Sequence, residues 1–164
     1  MILSISKTRR EGAVRMELKD TIREVLGNKG REICAVAPET SVYDALEMMA
    51  ENDIGALLVM DEGRLLGIMS ERDYARKVIL VGKTSRETLV EEIMHAPEPS
   101  AAPTTTVSEA MRMMTEARVR HLPVLDGERV TGVVSIGDLV NHVINAQQGT
   151  IQALEAYVSG TYPA

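Results

Sequence analysis

The 164-residue chain repeats itself. Residues 37–73, APETSVYDALEMMAENDIGALLVMDEGRLLGIMSERD, match residues 102–138, APTTTVSEAMRMMTEARVRHLPVLDGERVTGVVSIGD, at a constant offset of 65 with no insertion or deletion. A tandem duplication limits the fold to two like units, and at roughly 60 residues neither unit encloses much interior alone. Their sheets are therefore expected to pack on each other in one globule with internal pseudo-twofold symmetry.

Within each copy a proline, Pro38 or Pro103, leads into Val42, Ala45, Leu46, Met48 and Met49, or Val107, Ala110, Met111, Met113 and Met114, the spacing of one helical face. Two short apolar runs joined by a polar turn then predict a β-hairpin: 56–61 with 65–70, and 121–126 with 130–135. A second helix is expected from Asp73 in one copy and from Asp138 in the other, the latter running to about Tyr157. A weaker echo, TIREVL (21–26) against LVEEIM (89–94), reads as a lead-in helix before each unit, and HAPEPSAAP (95–103) as the Pro-rich connection. The expected fold is α/β (α+β), two β-α-β-β-α units, with a tail at 1–19, units at 20–82 and 83–147, and a C-terminal helix and tail at 148–164.

Composition narrows the function. The chain has no Trp or Phe, four Tyr and ten Met, so the core is aliphatic and aromatic platforms for stacking bases are missing. Net charge is −6, with the acidic residues spread along the chain, which disfavours binding a nucleic acid polymer. A single cysteine, Cys34, and the lack of an apolar stretch near about 18 residues suggest a reduced, soluble, cytoplasmic protein that does not enter membranes. The basic first 19 residues read as a frayed tail, with an organelle-targeting segment as the alternative, which Glu11 and Glu17 weaken. His95, His121, His142 and Cys34 fall in different elements without metal-ligand spacing, so no metal site is expected. The methionines at helical spacing read as core or as the interface of a homodimer.

The trio Gly-h-h-Ser-x-x-Asp occurs twice, in GIMSERD (67–73) and GVVSIGD (132–138), where a strand ends and a helix begins. Ser-x-x-Asp is a capping box, and that alone explains either copy. The same place also presents unpaired amides and a positive dipole end to a phosphate, and an aspartate can accept from a ribose diol. A glycine before each strand end permits close backbone approach.

Together with RHLPVLD and the lead-in LVEEIM, this trio resembles the cystathionine-beta-synthase (CBS) domain family, over residues 20–145. Two copies resemble the usual CBS pair, or Bateman module. The resemblance implies a sensor of adenosyl ligands in which Asp holds ribose hydroxyls, Ser approaches phosphate, and paired strands hold adenine. By position it implies Ser135, Ile136, Gly137 and Asp138 with His121, Leu122 and Pro123 in the second copy, and Ser70, Glu71, Arg72 and Asp73 in the first. Arg120 and His121 resemble a phosphate-facing basic pair, which ranks the second site higher, and Arg72, Arg76 and Lys77 would face the same cleft. SERDYARKV, VRHLPV, VSIGD and LEAYVSGTY look especially like stand-alone bacterial CBS-pair proteins and plant mitochondrial relatives, implying AMP or NAD(H), with ATP as a further candidate. No catalytic domain is expected, so the expected role is a non-catalytic regulator of another, unidentified protein. The alternative is a redox or small enzymatic protein using Cys34.

Overall fold

Ser41 and Thr106 start the first helix of each repeat in the same way. Each hydroxyl accepts from the amide three residues on, Asp44 at 3.1 Å and Glu109 at 3.2 Å, which satisfies an otherwise open donor of the first turn. Helix α2 (Val42–Glu51) follows and buries Val42, Ala45 and Met49, while α5 (Val107–Ala117) buries Val107, Ala110 and Met114. These are matching positions at the 65-residue offset. The computed structural model describes residues 19–29 and 33–159. The tail expected at 1–19 thus lies outside the described residues except for Lys19, and so does the chain after 159.

The remaining elements, in chain order, are α1 (Ile22–Lys29), β1 (Ala35–Val36), β2 (Ala56–Asp61), β3 (Arg64–Ser70), α3 (Glu71–Lys77), a 3-10 turn (Ile79–Val81), α4 (Val90–Ile93), β4 (His121–Asp126), β5 (Arg129–Ser135) and α6 (Ile136–Ser159). The β2–β3 and β4–β5 pairs are antiparallel hairpins whose registers shift at matching places, Val59/Met60 and Val124/Leu125. In the first unit β1 adds a parallel strand to β2, but in the second the counterpart is one bridge, Ala101 to Val124. The expected leading strand is therefore present in the first unit and only a single bridge in the second. Both second helices begin two residues earlier than expected, at Glu71 and Ile136. The serine is the N-cap and the aspartate sits in the first turn. The first of them is short, and its expected continuation through Ile79–Val81 is a 3-10 turn ended by Gly82 at φ 73°.

Among the described residues, three apolar clusters hold the molecule. One is the core of the first unit, with Val42, Met49, Leu57, Val59 and Met69. A second is the core of the second unit, with Val107, Met114, Leu122, Val134 and Leu139. The third joins the two sheets, with Ala56, Leu58 and Ile68 from one hairpin and Val130 and Val133 from the other. Strand β2 is consequently covered on both faces, and Ala56 to Val59 are buried without alternation. The methionines do not form exposed pairing faces: Met49 and Met114 are buried, and Met48, Met111 and Met113 are half-buried against the cores. A neighbour of a core position is only roughly 100° round a helix, so a flexible methionine bends back over the core.

The lead-in helices are exchanged. Ile22 and Val25 of α1 pack in the core of the second unit, and Val90 and Ile93 of α4 in the core of the first. The backbone repeats the exchange, with Val107 N–H donating to Asp20 O and Val42 N–H to Thr88 O, both at 2.9 Å. A cut between residues 82 and 83 would thus part each core from one of its helices. The glycine of each trio receives the exchanged segment. A Cβ on Gly67 would stand 2.6 Å from His95 O and 3.0 Å from Met94 Sδ, and one on Gly132 would stand 3.0 Å from Leu26 Cδ2.

Gly67→Ala should therefore cost about 1 to 3 kcal/mol, because a backbone carbonyl has to move. Gly132→Ala should cost less, because only the end of the Leu26 side chain must swing aside. Urea unfolding of both variants checks this, and equal losses would contradict the assigned packing.

Candidate functional site

Each Ser-x-x-Asp trio first completes a helix start. The Ser70 amide and hydroxyl donate to Asp73 Oδ2 at 2.9 and 2.7 Å, and the Asp73 amide donates back to Ser70 Oγ at 3.3 Å. Likewise the Ser135 amide donates to Asp138 Oδ2 at 2.7 Å, and the Asp138 amide to Ser135 Oγ at 3.1 Å. The first helical amides are also taken, Glu71 N–H by Gly55 O at 3.1 Å and Ile136 N–H by Arg120 O at 2.9 Å. Few backbone donors remain at either helix start, so charge at these sites has to come from side chains.

Asp73 is committed further. His95 Nδ1 lies 3.0 Å from its Oδ2 and Lys77 Nζ lies 3.2 Å from its Oδ1, while Lys77 also donates to Ile93 O at 2.6 Å. Burial acts to raise the Asp73 pKa, but the hydrogen bonds from His95 and Ser70 outweigh it and hold the carboxyl well below the usual carboxylate range. Asp73 thus ties α3 to the chain that follows α4.

Two cavities open between the units. The first, about 590 Å³, is lined by Ser70, Glu71, Arg72, Asp73, Arg76, Lys77 and His95 from the first trio's side, and by Ala117, Arg118, Val119, Arg120 and His121 from the loop between α5 and β4. The second, about 540 Å³, is lined by Ser135 and Asp138, by Asn52, Asp53 and Ile54 from the loop between α2 and β2, by Ala56 at the start of β2, and by Ile33 and Cys34. Gly55 and His121 border both cavities. Each cleft is thus made of one unit's second helix and the other unit's helix-to-strand loop.

This arrangement separates residues that the sequence reading had grouped. Arg120 shares its cleft with Ser70, Arg72, Asp73, Arg76 and Lys77, not with Ser135 and Asp138. Its carbonyl does meet α6 through Ile136, but Arg120 lines the neighbouring cleft, so of the basic pair on which the Ser135 site was ranked higher only His121, which borders both cavities, stands beside Ser135. Leu122 is a core residue, Pro123 is buried, Ile136 packs against the second core, and Gly137 is exposed, so none of the four lines either cavity. Asp53 and Arg118 were missed. Both follow a helix at positive φ, 52° and 55°, and the offset of 65 pairs them, which is the signal that could have found them.

The first cleft is basic, with five lysine and arginine side chains against the carboxylates Glu71 and Asp73. Arg72 Nη1 donates to Arg118 O at 2.9 Å and so pins α3 to the other unit. Among the described residues, the guanidinium groups of Arg76, Arg118 and Arg120 have no hydrogen-bonded or ionic partner. These three are the groups available to an anion.

The CBS domain model matches residues 21–80 and 90–145. The chain belongs to the CBS-domain family. It is a single Bateman module, and CBS pairs are in general regulatory modules that bind adenosine ligands. It is similar to the CBS domain-containing protein CBSX3, mitochondrial, of Arabidopsis thaliana, with 38% identity over 151 residues, 87% of this chain and 73% of the relative. It is also similar to the YhcV protein of Bacillus subtilis, with 29% identity over 73% of this chain and 85% of that protein. A solved CBS-domain structure from Burkholderia ambifaria MC40-6 is 50% identical, covers 77% of this chain and 93% of its own, and superimposes with a TM-score of 0.72. Among the described residues, no group of three or more His, Cys, Asp or Glu side chains could hold a metal ion, and no helix is long and apolar enough to cross a membrane.

Because the Asp73 pKa is depressed in the fold, its contribution to stability is complete above the unfolded value of about 3.9 and is lost as pH falls through that value towards the folded one. Asp73→Asn should cost about 1 to 3 kcal/mol at neutral pH. Its deficit against the wild type should shrink below about pH 4. Urea midpoints measured at several pH values check this, and a deficit independent of pH would contradict it.

Proposed function

We propose that this protein is a non-catalytic sensor of an adenine nucleotide, AMP or NAD(H) in the first place and ATP next, acting in the cytoplasm on another protein or between its own copies. The observation that carries this reading is the basic cleft at Ser70, where Arg118 and Arg120 of one unit face Arg76 of the other. A phosphate there gains charge-assisted hydrogen bonds from arginines that have no other partner, on an otherwise acidic chain. A cavity of about 590 Å³ suits a nucleotide-sized ligand. Since the arginines come from both units, a bound phosphate favours the arrangement that brings them together. An affinity ratio of about fivefold to a hundredfold between two arrangements shifts their balance by roughly 1 to 3 kcal/mol.

Arg120→Ala should weaken AMP binding about tenfold to a hundredfold in calorimetry, the loss of a charge-assisted bond. Cys34→Ser should leave it unchanged, and the nucleotide should be recovered chemically intact after incubation. Steady consumption of AMP, NADH or ATP by the pure protein would overturn the sensor reading, and loss of function with Cys34→Ser would favour a redox role.

The same reading includes a homodimer formed through helical faces. Leu80 and Val81 stand exposed in the 3-10 turn after α3, and the 65-residue offset pairs Ile79 with Ile144, also exposed, on α6. A second copy would cover these matching apolar places by a twofold axis. Sedimentation should give a dimer for the wild type and a monomer for Leu80→Glu combined with Ile144→Glu. A wild-type monomer at micromolar concentration would contradict this.

A further inference from the structure

His95 is fixed against the first trio by its backbone and by its ring. Its amide donates to Ile68 O and its carbonyl accepts from the Ile68 N–H, each at 3.0 Å, and Nδ1 lies 3.0 Å from Asp73 Oδ2. Against the burial that raises its pKa, Asp73 is held ionised at neutral pH by hydrogen bonds from His95 and Ser70. An ionised carboxylate can only accept, so the contact requires the hydrogen on Nδ1 and leaves Nε2 as the nitrogen that gains or loses a proton. His95 lines the Ser70 cleft, and among the described residues its Nε2 has no hydrogen-bonded partner. No buried side-chain nitrogen or oxygen among those residues is unpaired, so Nε2 is not sealed off in the interior.

Each element around the ring contributes its own charges. From α3 come Asp73, bound to the ring, Lys77, whose Nζ is 3.2 Å from Asp73 Oδ1, and Glu71, Arg72 and Arg76 on the cleft wall. The loop between α5 and β4 brings Arg118 and Arg120, and β4 begins with His121, a second imidazole on the same cleft. Strand β3, paired with residue 95 at Ile68, has the uncharged Gly67, Ile68 and Met69 there. Glu91, Glu92 and Glu98, on the stretch that carries His95, do not line the cleft. A protonated Nε2 therefore adds a donor to a wall of arginines, and Asp73 offsets its charge. Resting on the reading of this cleft as the nucleotide site, we infer that His95 is one of its ligand-binding residues: Nε2 takes a proton from solvent as the phosphate enters and donates to it, so the site holds its anion more tightly as pH falls. The phosphate favours the protonated ring by as much as the protonated ring favours the phosphate.

Calorimetry with AMP on the wild type, His95→Asn and His121→Asn, at about pH 6 and about pH 8, tests this. Asparagine keeps a donor for Asp73 and does not titrate, and His95→Gln serves if that variant does not fold. The AMP phosphate itself titrates near about pH 6, so the ratio of wild-type to variant affinity is the quantity read, since it cancels the ligand's own proton. The wild type should bind AMP about five- to tenfold more tightly than His95→Asn at about pH 6, the difference between a charge-assisted and a neutral hydrogen bond. Most of that advantage should be gone at about pH 8. On binding near neutral pH the wild type should also take up more protons than His95→Asn, read from the heats in buffers of different ionisation enthalpy. His121→Asn should keep the wild-type pH response. A ratio that is the same at both pH values, or a pH response kept in His95→Asn and lost in His121→Asn, would overturn the inference and leave the nucleotide reading standing. Failure of the wild type to bind AMP at either pH would overturn both.

Discussion

The apolar contact between the two hairpins is what the rest of the molecule depends on. Leu58 is fully buried and Ile68 nearly so where the sheets meet, and side chains of this size contribute about 1.5 to 3 kcal/mol each when removed from water. A unit of this size has little core of its own, so joining the sheets is the step that makes two halves one structure. The same contact fixes where the second helices start relative to the opposite unit's loops. The clefts are therefore a geometric consequence of packing a duplicated unit against itself. The exchanged α1 and α4 reinforce the join, since each core is completed by chain from the other side of the sequence.

Within that frame the Ser-x-x-Asp trios mainly build the helix starts. Asp73 is bound by Ser70, His95 and Lys77, and the first helical amides are taken by Gly55 and Arg120 carbonyls. The chemistry that separates the clefts comes from residues outside the trios. It lies at the two helix-to-strand loops and one turn into each second helix, where the duplicated copies have diverged in charge while keeping their backbone.

Much of the fold was legible because a gap-free repeat carries its own register. Both hairpins, both first helices with their caps, and the long α6 follow from matched apolar spacing. The exchange of lead-in helices was not legible, because which core a short helix joins is decided by long-range packing and not by its own pattern. Met48, Met111 and Met113 read as core or interface and pack against the two cores, since spacing marks a face as apolar without saying what covers it. Of the site residues, Ser70, Arg72, Asp73 and Arg76 were found together in one cleft with Arg120, while Arg120, whose carbonyl accepts from the Ile136 amide beside Ser135, faces a different cavity from Ser135. Strand pairing brings main chains together and sends successive side chains to opposite sides, and no local pattern says which cleft lies on which side.

The Ser70 cleft, with arginines from both units, is the place proposed for the phosphate of a nucleotide. A crystal structure of the protein grown with AMP tests it most directly. The phosphate is expected among Arg76, Arg118 and Arg120. A phosphate seated beside Ser135 and Asp138 would contradict it.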